Sequence, residues 1–301
     1  MEQKTFALKG NIIYTKERTR FEVMEQGWLV CEEGRVRDVY SVLPEELKGI
    51  PVEDMEDRLI IPGLTDLHIH APQYTFRSLG MDMELLEWLE TNTFPEESKY
   101  KDAEYAKKAY EMFAEQLKKS ATVRACIFGT IHNEATLILM DLLEEAGLHT
   151  MVGKVNMDRN SPDYLCEPSA EASAQATREW LKAVADRKYK HTRPILTPRF
   201  TPSCTDELME LLKEIQTETH LPMQSHLSEN PGEIAWVKEL CPWSEFYGDA
   251  YDKFGLFGGD CPTVMAHCVY SGKEEMALMK EKGVFVAHCP ESNTNLSSGV
   301  A

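Results

Sequence analysis

The hydrophobic and polar positions of the chain follow two patterns, one before and one after Pro62 and Gly63. Before that pair, short apolar runs alternate with polar and turn-forming residues, which is typical of β-strands. The predicted strands cover residues 6–8, 11–14, 27–31, 36–40 and 58–61. Residues 32–35 read as a hairpin turn in which Gly34 supplies a positive φ. We therefore predict that residues 1–61 form the N-terminal part of a small β-sandwich domain.

After Pro62, apolar runs alternate with longer amphipathic stretches. The runs cover residues 64–70, 122–128, 149–155, 194–199, 223–226, 263–267 and 284–288. Helical patterns cover residues 102–119, 134–146, 171–187, 206–219 and 274–282. Helix starts are predicted at Asn230, which precedes Pro231 and Glu233, and at Ser271, which has Glu274 three residues on.

Repeated strand–helix units with short connections indicate an α/β fold built on a parallel sheet, either a barrel or an open doubly wound sheet. No glycine-rich phosphate loop follows any of the predicted strands, which argues against a nucleotide-binding open sheet. We therefore predict that residues 62–301 form a (β/α)8 TIM-type barrel, of which the sequence supplies strands one to seven.

Composition and charge limit the class of partner. Hydrophobic residues make up 43% of the 301 residues and charged residues 27%, as in a globular protein. The formal net charge of −18 repels nucleic-acid backbones and anionic membranes, so neither is expected as a partner. The N-terminus lacks the features of a signal peptide, and no apolar stretch is long enough for a membrane span. The eight cysteines include no C-x-x-C pair and are expected to be reduced, which predicts a cytoplasmic protein.

Four histidines end three of the predicted barrel strands. His68 and His70 are alternate residues of the first strand, so they project from one face. His226 ends the fifth strand and His267 ends the sixth. An isolated H-x-H pair more often reflects two half-buried histidines than a metal site. However, the strands of a parallel barrel all open at their carboxyl ends on one face, so the convergence of four imidazoles predicts a divalent-metal site.

Glu229 follows His226 by three residues, just past the end of the fifth strand. Taken alone, it is an ordinary exposed acid ahead of a helix. Beside a metal site, its carboxyl group is placed to reach a substrate and shuttle a proton.

Several motifs together resemble the deaminase branch of the amidohydrolase superfamily. They are P-G-L-x-D-x-H-x-H at 62–70, S-H-x-S-E at 225–229, A-H-C at 266–268 and H-C-P-x-S-N at 288–293. Shorter segments resemble the guanine deaminase family in particular: APQY at 71–74, residues 86–97 ending in FPEE, VNMD at 155–158 and TPRF at 197–200. The resemblance covers essentially the whole chain.

The resemblance implies a metal-dependent hydrolase of purine catabolism that converts guanine and water to xanthine and ammonia. It implies that His68, His70 and His226 bind zinc or iron, and that His267 holds or activates the nucleophilic water. A bound metal lowers the pKa of water toward about 7, which gives a hydroxide able to attack C2 of guanine. We also predict that the full-length protein is a homodimer.

The same resemblance assigns the substrate contacts. Gln73, Arg199 and the main chain near Phe200 are expected to hydrogen-bond the polar edges of the purine, and Glu229 is expected to protonate a ring nitrogen. A planar guanidinium suits the carbonyl and ring-nitrogen edge of guanine and discourages adenine, whose exocyclic amine is a donor.

One departure from the family pattern concerns the metal. Members carry a further aspartate at the end of strand eight, and no aspartate follows Asp260 here. We therefore expect the 301-residue chain to lack strand eight and that ligand, and to be inactive alone. Two alternatives stay open: deamination of another aminated heterocycle, such as a pterin, a triazine or an adenosine analogue, and a metal-free scaffold relative or inactive fragment.

Overall fold

The computed structural model describes residues 5–300 of the chain. The chain divides into two compact units, of which the first ends at Leu64 and the second begins at Thr65.

The first unit is a single four-stranded sheet with the strand order β3-β2-β1-β4. The strands are β1 (Phe6–Glu17), β2 (Arg20–Glu32), β3 (Arg35–Tyr40) and β4 (Val52–Ile60), and a 3-10 helix covers Glu45–Leu47. β1 pairs antiparallel with β2 and parallel with β4. The separate strands predicted at 6–8 and 11–14 are one strand, because the pairing of β1 with β2 shifts register between Gly10 and Ile12 without ending the strand.

The predicted hairpin at residues 32–35 is confirmed. Glu33 and Gly34 both have positive φ, at 51° and 73°, as a two-residue turn of type I′ requires. The small core of this unit centres on Ala7, Val30 and Leu47. A sandwich requires a second sheet to pack against this one, so the β-sandwich stays a prediction.

The second unit alternates strands with helices. Its strands are β5 (Leu64–His70), β6 (Thr122–Phe128), β7 (His149–Gly153), β8 (Val155–Asn156), β9 (Thr192–Pro194), β10 (Thr197–Pro198), β11 (Met223–Leu227), β12 (Thr263–His267) and β13 (Phe285–Ala287). The order is β5-β6-β7-β9 in one sheet, β8-β10 in a second and β11-β12-β13 in a third. The bridge between Leu196 and Met223 connects β10 to β11. The strand pairs β6–β7, β7–β9, β8–β10, β11–β12 and β12–β13 are all parallel, as in a TIM-type barrel.

Ten α-helices connect or follow these strands in the described residues 65–300. They are α1 (Leu85–Trp88), α2 (Phe94–Ser98), α3 (Ala103–Lys118), α4 (Asn133–Glu145), α5 (Ala170–Arg187), α6 (Asp206–Thr219), α7 (Pro231–Leu240), α8 (Asp249–Asp252), α9 (Lys273–Lys282) and α10 (Pro290–Asn295). Short 3-10 helices cover Ala71–Phe76, Lys99–Lys101, Asp163–Leu165 and Thr201–Ser203, and one π-helical turn covers Leu89–Thr93. In the described part of the chain, no helix is both long and apolar enough to cross a membrane.

The third and fourth barrel strands, predicted as continuous at 149–155 and 194–199, are each split into two short segments. Gly153 lies where β7 gives way to β8, and a Cβ on this residue would overlap the Thr197 side chain and lie 2.8 Å from the Ile195 carbonyl oxygen. The segment at Gly153 and the segment at residues 195–197 therefore approach each other more closely than a side chain at position 153 would allow. An apolar run in the sequence does not reveal such a close approach.

The two predicted helix starts have different outcomes. Asn230 caps α7 in a capping box whose third helical residue is Glu233, as predicted. The predicted cap at Ser271 is wrong, because α9 begins at Lys273 with Gly272 at the N-cap position and no side-chain cap.

Candidate active site

The histidines predicted to form a metal site lie at the carboxyl ends of their strands. His68 and His70 end β5, His226 lies one residue before the end of β11, and His267 ends β12. In the parallel sheet these ends open on the same face, where barrel enzymes place their active sites. Phe128, at the end of β6, stacks against the His70 ring with the ring centroids 4.5 Å apart.

Three of these histidines converge tightly. Nitrogen atoms of His68, His70 and His226 all lie within 4.8 Å of one another. The Nε2 atoms of His70 and His226 are 3.0 Å apart, close to the separation of about 3.3 Å expected for two nitrogens on one tetrahedral ion with metal–nitrogen bonds of about 2.0–2.1 Å. Burial lowers the pKa of all three imidazoles well below the usual value, and neutral imidazole is the form that binds metals.

The backbone orients one of these rings. The Nδ1 atom of His226 lies 2.6 Å from the Arg199 carbonyl oxygen, an acceptor, so Nδ1 donates and the Nε2 lone pair points toward the other histidines. A metal-binding histidine is commonly held in this way by a hydrogen bond at its other nitrogen. The donor set and the fixed orientation of His226 fit a divalent metal ion.

His267 lies on the same mouth but makes different contacts. Its Nδ1 atom is 2.8 Å from Oδ1 of Asn293, and its Nε2 atom is 3.3 Å from the Glu229 carboxyl group. Burial lowers the pKa of the imidazole, so the ring is neutral and Nε2 is available as an acceptor. His267 and Cys268 both have positive φ, at 72° and 53°, a strained conformation that often marks functional sites.

Glu229 is a buried acid rather than the exposed one that its sequence position alone suggests. It is 3% exposed, and burial raises the pKa of its carboxyl group to about 8, against a small lowering by the Ser298 hydroxyl. At neutral pH the carboxyl group is therefore mostly protonated and can donate. The backbone nitrogen of Glu229 donates to the Glu233 carboxylate at 2.9 Å, which fixes the start of α7 beside the histidines.

One cavity joins these groups. All eight site residues predicted from the sequence line it: His68, His70, Gln73, Arg199, Phe200, His226, Glu229 and His267. Gln73 reaches the cavity from the 3-10 helix after β5, and Arg199 and Phe200 follow β10. Arg199 is 2% exposed, so its guanidinium group is held away from bulk water.

Comparison with known proteins identifies the family to which the chain belongs. The amidohydrolase family model matches residues 59–301. The chain belongs to the amidohydrolase family. A TIM-type barrel is the fold of this family, so the predicted barrel class is confirmed, whereas the domain bounds and the absence of strand eight stay predictions.

Three relatives of this amidohydrolase are guanine deaminases by name. The enzyme of Dictyostelium discoideum is 38% identical over 97% of this chain and 68% of its own length. The enzyme of Escherichia coli K12 is 36% identical over 92% of this chain and 63% of its own length. The crystal structure of guanine deaminase from C. acetobutylicum with bound guanine superposes with a TM-score of 0.94 at 47% identity, covering 98% of this chain and 70% of that chain. This amidohydrolase spans about half to two thirds of the length of the curated relatives.

The structure of this amidohydrolase also adds residues that sequence reasoning missed. Asn293 belongs to the H-C-P-x-S-N motif, but the sequence gives no sign that it contacts His267. Glu233 is recognisable as a helix-capping acid, yet it also lines the cavity, and burial followed by the nearby Glu229 carboxyl group raises its pKa to about 7. Apolar walls come from Leu85, Trp88, Leu89 and Leu296, three of them in the segment before α2.

Proposed function

We propose that this amidohydrolase hydrolyses guanine to xanthine and ammonia in purine catabolism. The observation that carries the proposal is the single cavity in which a three-histidine cluster, a buried arginine and a buried protonated acid lie together. The similarity to a guanine deaminase with bound guanine supports the choice of substrate.

The proposed metal ligands are His68, His70 and His226, and the proposed metal is zinc, with iron as the alternative to be distinguished by metal analysis. When bound, a divalent ion at this position would lower the pKa of a water molecule and so supply the nucleophile at neutral pH.

The proposed substrate contacts are Arg199, Gln73 and the main chain at Phe200. A guanidinium group presents only donors, so it suits the acceptor atoms on the carbonyl edge of guanine. The Gln73 side chain carries both a donor and an acceptor and can pair with a mixed edge of the ring. Together these residues would orient C2 of the purine toward the histidine cluster.

The proposed catalytic residues are Glu229 and His267. Burial keeps the Glu229 carboxyl group protonated at neutral pH, so it can donate to a ring nitrogen and make C2 more electrophilic. Nε2 of His267, whose orientation is fixed by Asn293, is the acceptor that would hold the nucleophilic water. After attack at C2, the tetrahedral intermediate expels ammonia and leaves xanthine.

We also propose that residues 1–61 and 62–301 are a small β-sandwich domain and a hydrolase barrel. The homodimer and the cytoplasmic location stay predictions, as does the absence of nucleic-acid and membrane partners.

The test is a panel of aminated heterocycles incubated with the metal-loaded protein in a form extended through strand eight and the aspartate expected there, with ammonia measured in each. The panel contains guanine, a pterin, an amino-triazine and adenosine. Ammonia released from guanine well above the other compounds supports the proposal, whereas preferential turnover of another compound contradicts the substrate assignment. No turnover of any compound by protein that holds stoichiometric metal contradicts the enzyme assignment.

A further inference from the structure

The segment FPEE at residues 94–97 takes no part in the function proposed above, yet it reaches the cavity through one ion pair. We propose that Glu97 is a positioning residue for Arg199 and that its charge makes the cavity select a neutral purine over an anionic one. This inference rests on the proposed function, because it concerns how the same site chooses its ligand.

The contact between the two side chains is bidentate and buried. Arg199 Nη1 donates to Glu97 Oε2 at 2.5 Å, and Nη2 donates to Oε1 at 3.2 Å. The two side chains are only 3% and 2% exposed. Paired N–H groups meeting both carboxylate oxygens fix the plane of the guanidinium group as well as its position.

Both supports of the guanidinium group come from one short helix. Phe94 and Glu97, three residues apart on α2, lie on one face of the helix. The Arg199 Cζ atom lies 5.3 Å from the centre of the Phe94 ring, within the range of a cation–π contact. The π-helical turn Leu89–Thr93 directly precedes α2, and such turns occur frequently at functional sites.

The pair leaves part of the arginine free to meet a ligand. A guanidinium group has five N–H donors, of which the contact with Glu97 uses two. Arg199 lines the cavity, whereas Glu97 is not among the described residues that do. Glu97 therefore holds the group without competing for the ligand side of it.

The neighbouring acid does something different. Glu96 accepts from Thr75 at 3.1 Å and from Lys99 at 2.5 Å, near the surface. Glu97, by contrast, is only 1% exposed, and its carboxylate contacts the guanidinium group of Arg199, which lines the cavity. The buried position beside Arg199 therefore accounts for the acidic residue at 97, and a general need for acidic residues on this helix does not.

The charge has a consequence for ligand choice. Arg199 without Glu97 would be a buried, uncompensated cation, which strongly attracts an anion. Guanine is neutral near neutral pH, whereas xanthine is the more acidic purine and forms an anion as the pH rises. With the pair intact, the cavity offers directed donors without net positive charge from this residue, so it favours the neutral substrate over the ionised product.

The experiment compares binding of guanine and xanthine to the metal-loaded protein, by titration at pH values below and above the ionisation of xanthine. In Glu97→Gln we expect guanine to bind about tenfold more weakly or worse, and xanthine to gain affinity relative to guanine, increasingly so at the higher pH. Glu97→Asp keeps the charge on a shorter side chain, so it should weaken guanine binding while the preference for guanine over xanthine persists. This variant also carries the test if Glu97→Gln does not fold.

The matched control is Glu167→Gln, which breaks the buried pair of Glu167 and Lys154, whose members are 8% and 0% exposed and lie outside the set of cavity-lining residues. It should destabilise the protein and leave the guanine-to-xanthine affinity ratio unchanged. If Glu97→Gln shifts that ratio no more than Glu167→Gln, or if Glu97→Asp binds guanine as tightly as the parent, the inference is wrong. If the parent protein itself binds no guanine, the proposed function fails instead.

Discussion

Replacing Glu229 with glutamine should slow turnover and stabilise the protein at the same time. The substitution keeps the shape of the side chain and removes its ability to ionise. The amide that Glu229→Gln introduces cannot transfer a proton to a ring nitrogen, and loss of a general acid typically slows a reaction about 10²–10⁴-fold. Metal content should stay at the parent level, because the three proposed ligands are untouched.

The stability effect can be worked out from the pKa. Burial raises the pKa of Glu229 from 4.5 to about 8 in the folded protein. A group whose pKa is raised on folding makes its full contribution to stability at pH values below its pKa in the unfolded chain. This contribution is lost as the pH rises through its pKa in the folded protein. Between pH 4.5 and 8 the unfolded chain releases the proton and the folded one keeps it. At about 1.4 kcal/mol per pH unit, the carboxyl group costs the folded protein roughly 3–5 kcal/mol at pH 8 relative to a side chain that does not titrate.

The assay is urea unfolding of chelator-treated parent and Glu229→Gln protein at several pH values from 4.5 to 9, because a bound cation would itself lower the pKa. The difference in free energy of unfolding should be small at the lowest pH and grow by a few kcal/mol in favour of the variant by pH 8. Glu239→Gln, at an exposed position of α7, is the control and should track the parent. Equal pH dependence of parent and variant would show that Glu229 is ionised in the folded protein, which contradicts its role as an acid at neutral pH.

His68→Ala and His226→Ala should each lose most of the bound metal, measured by elemental analysis, and wild-type stoichiometry in both would contradict the ligand assignment. Arg199→Lys should raise the KM for guanine about tenfold or more, since an ammonium group cannot reproduce the planar fork of a guanidinium group, while the metal content changes little. An unchanged KM would show that Arg199 does not contact the substrate. Asn293→Leu should reduce kcat about 10–100-fold by freeing the His267 ring, as loss of an orienting hydrogen bond commonly does, and a parent-like kcat would show that this bond does not matter.

The sequence predicted the parts of the fold that depend on local patterns. β5, β6 and β12 have the bounds that their apolar runs indicate, and α6 covers residues 206–219 as predicted. Such runs and amphipathic stretches report directly which residues face a core. The breaks in the third and fourth strands depend instead on the close approach of Gly153 to a distant segment, which no local pattern encodes.

The candidate site divides in a similar way. The histidines, Gln73, Arg199 and Glu229 could be named because each sits at a strand end or in a motif of the family. Glu97 also lies in a family segment, FPEE, but its role could not be predicted, because its partner Arg199 is 102 residues away. Asn293 was inside a recognised motif, but its contact with His267 joins residues 26 positions apart, which no local pattern encodes.

The central claim, that water replaces the amino group at C2 of guanine, is tested most directly by isotope labelling. Metal-loaded protein, in a form extended through strand eight and its aspartate, is incubated with guanine in water enriched in heavy oxygen, and xanthine and ammonia are quantified by mass spectrometry and an ammonia assay. The account predicts equal amounts of the two products, one heavy oxygen in each xanthine, and loss of both products after chelation of the metal. Xanthine without the label, or undiminished turnover after the metal is removed, would contradict it.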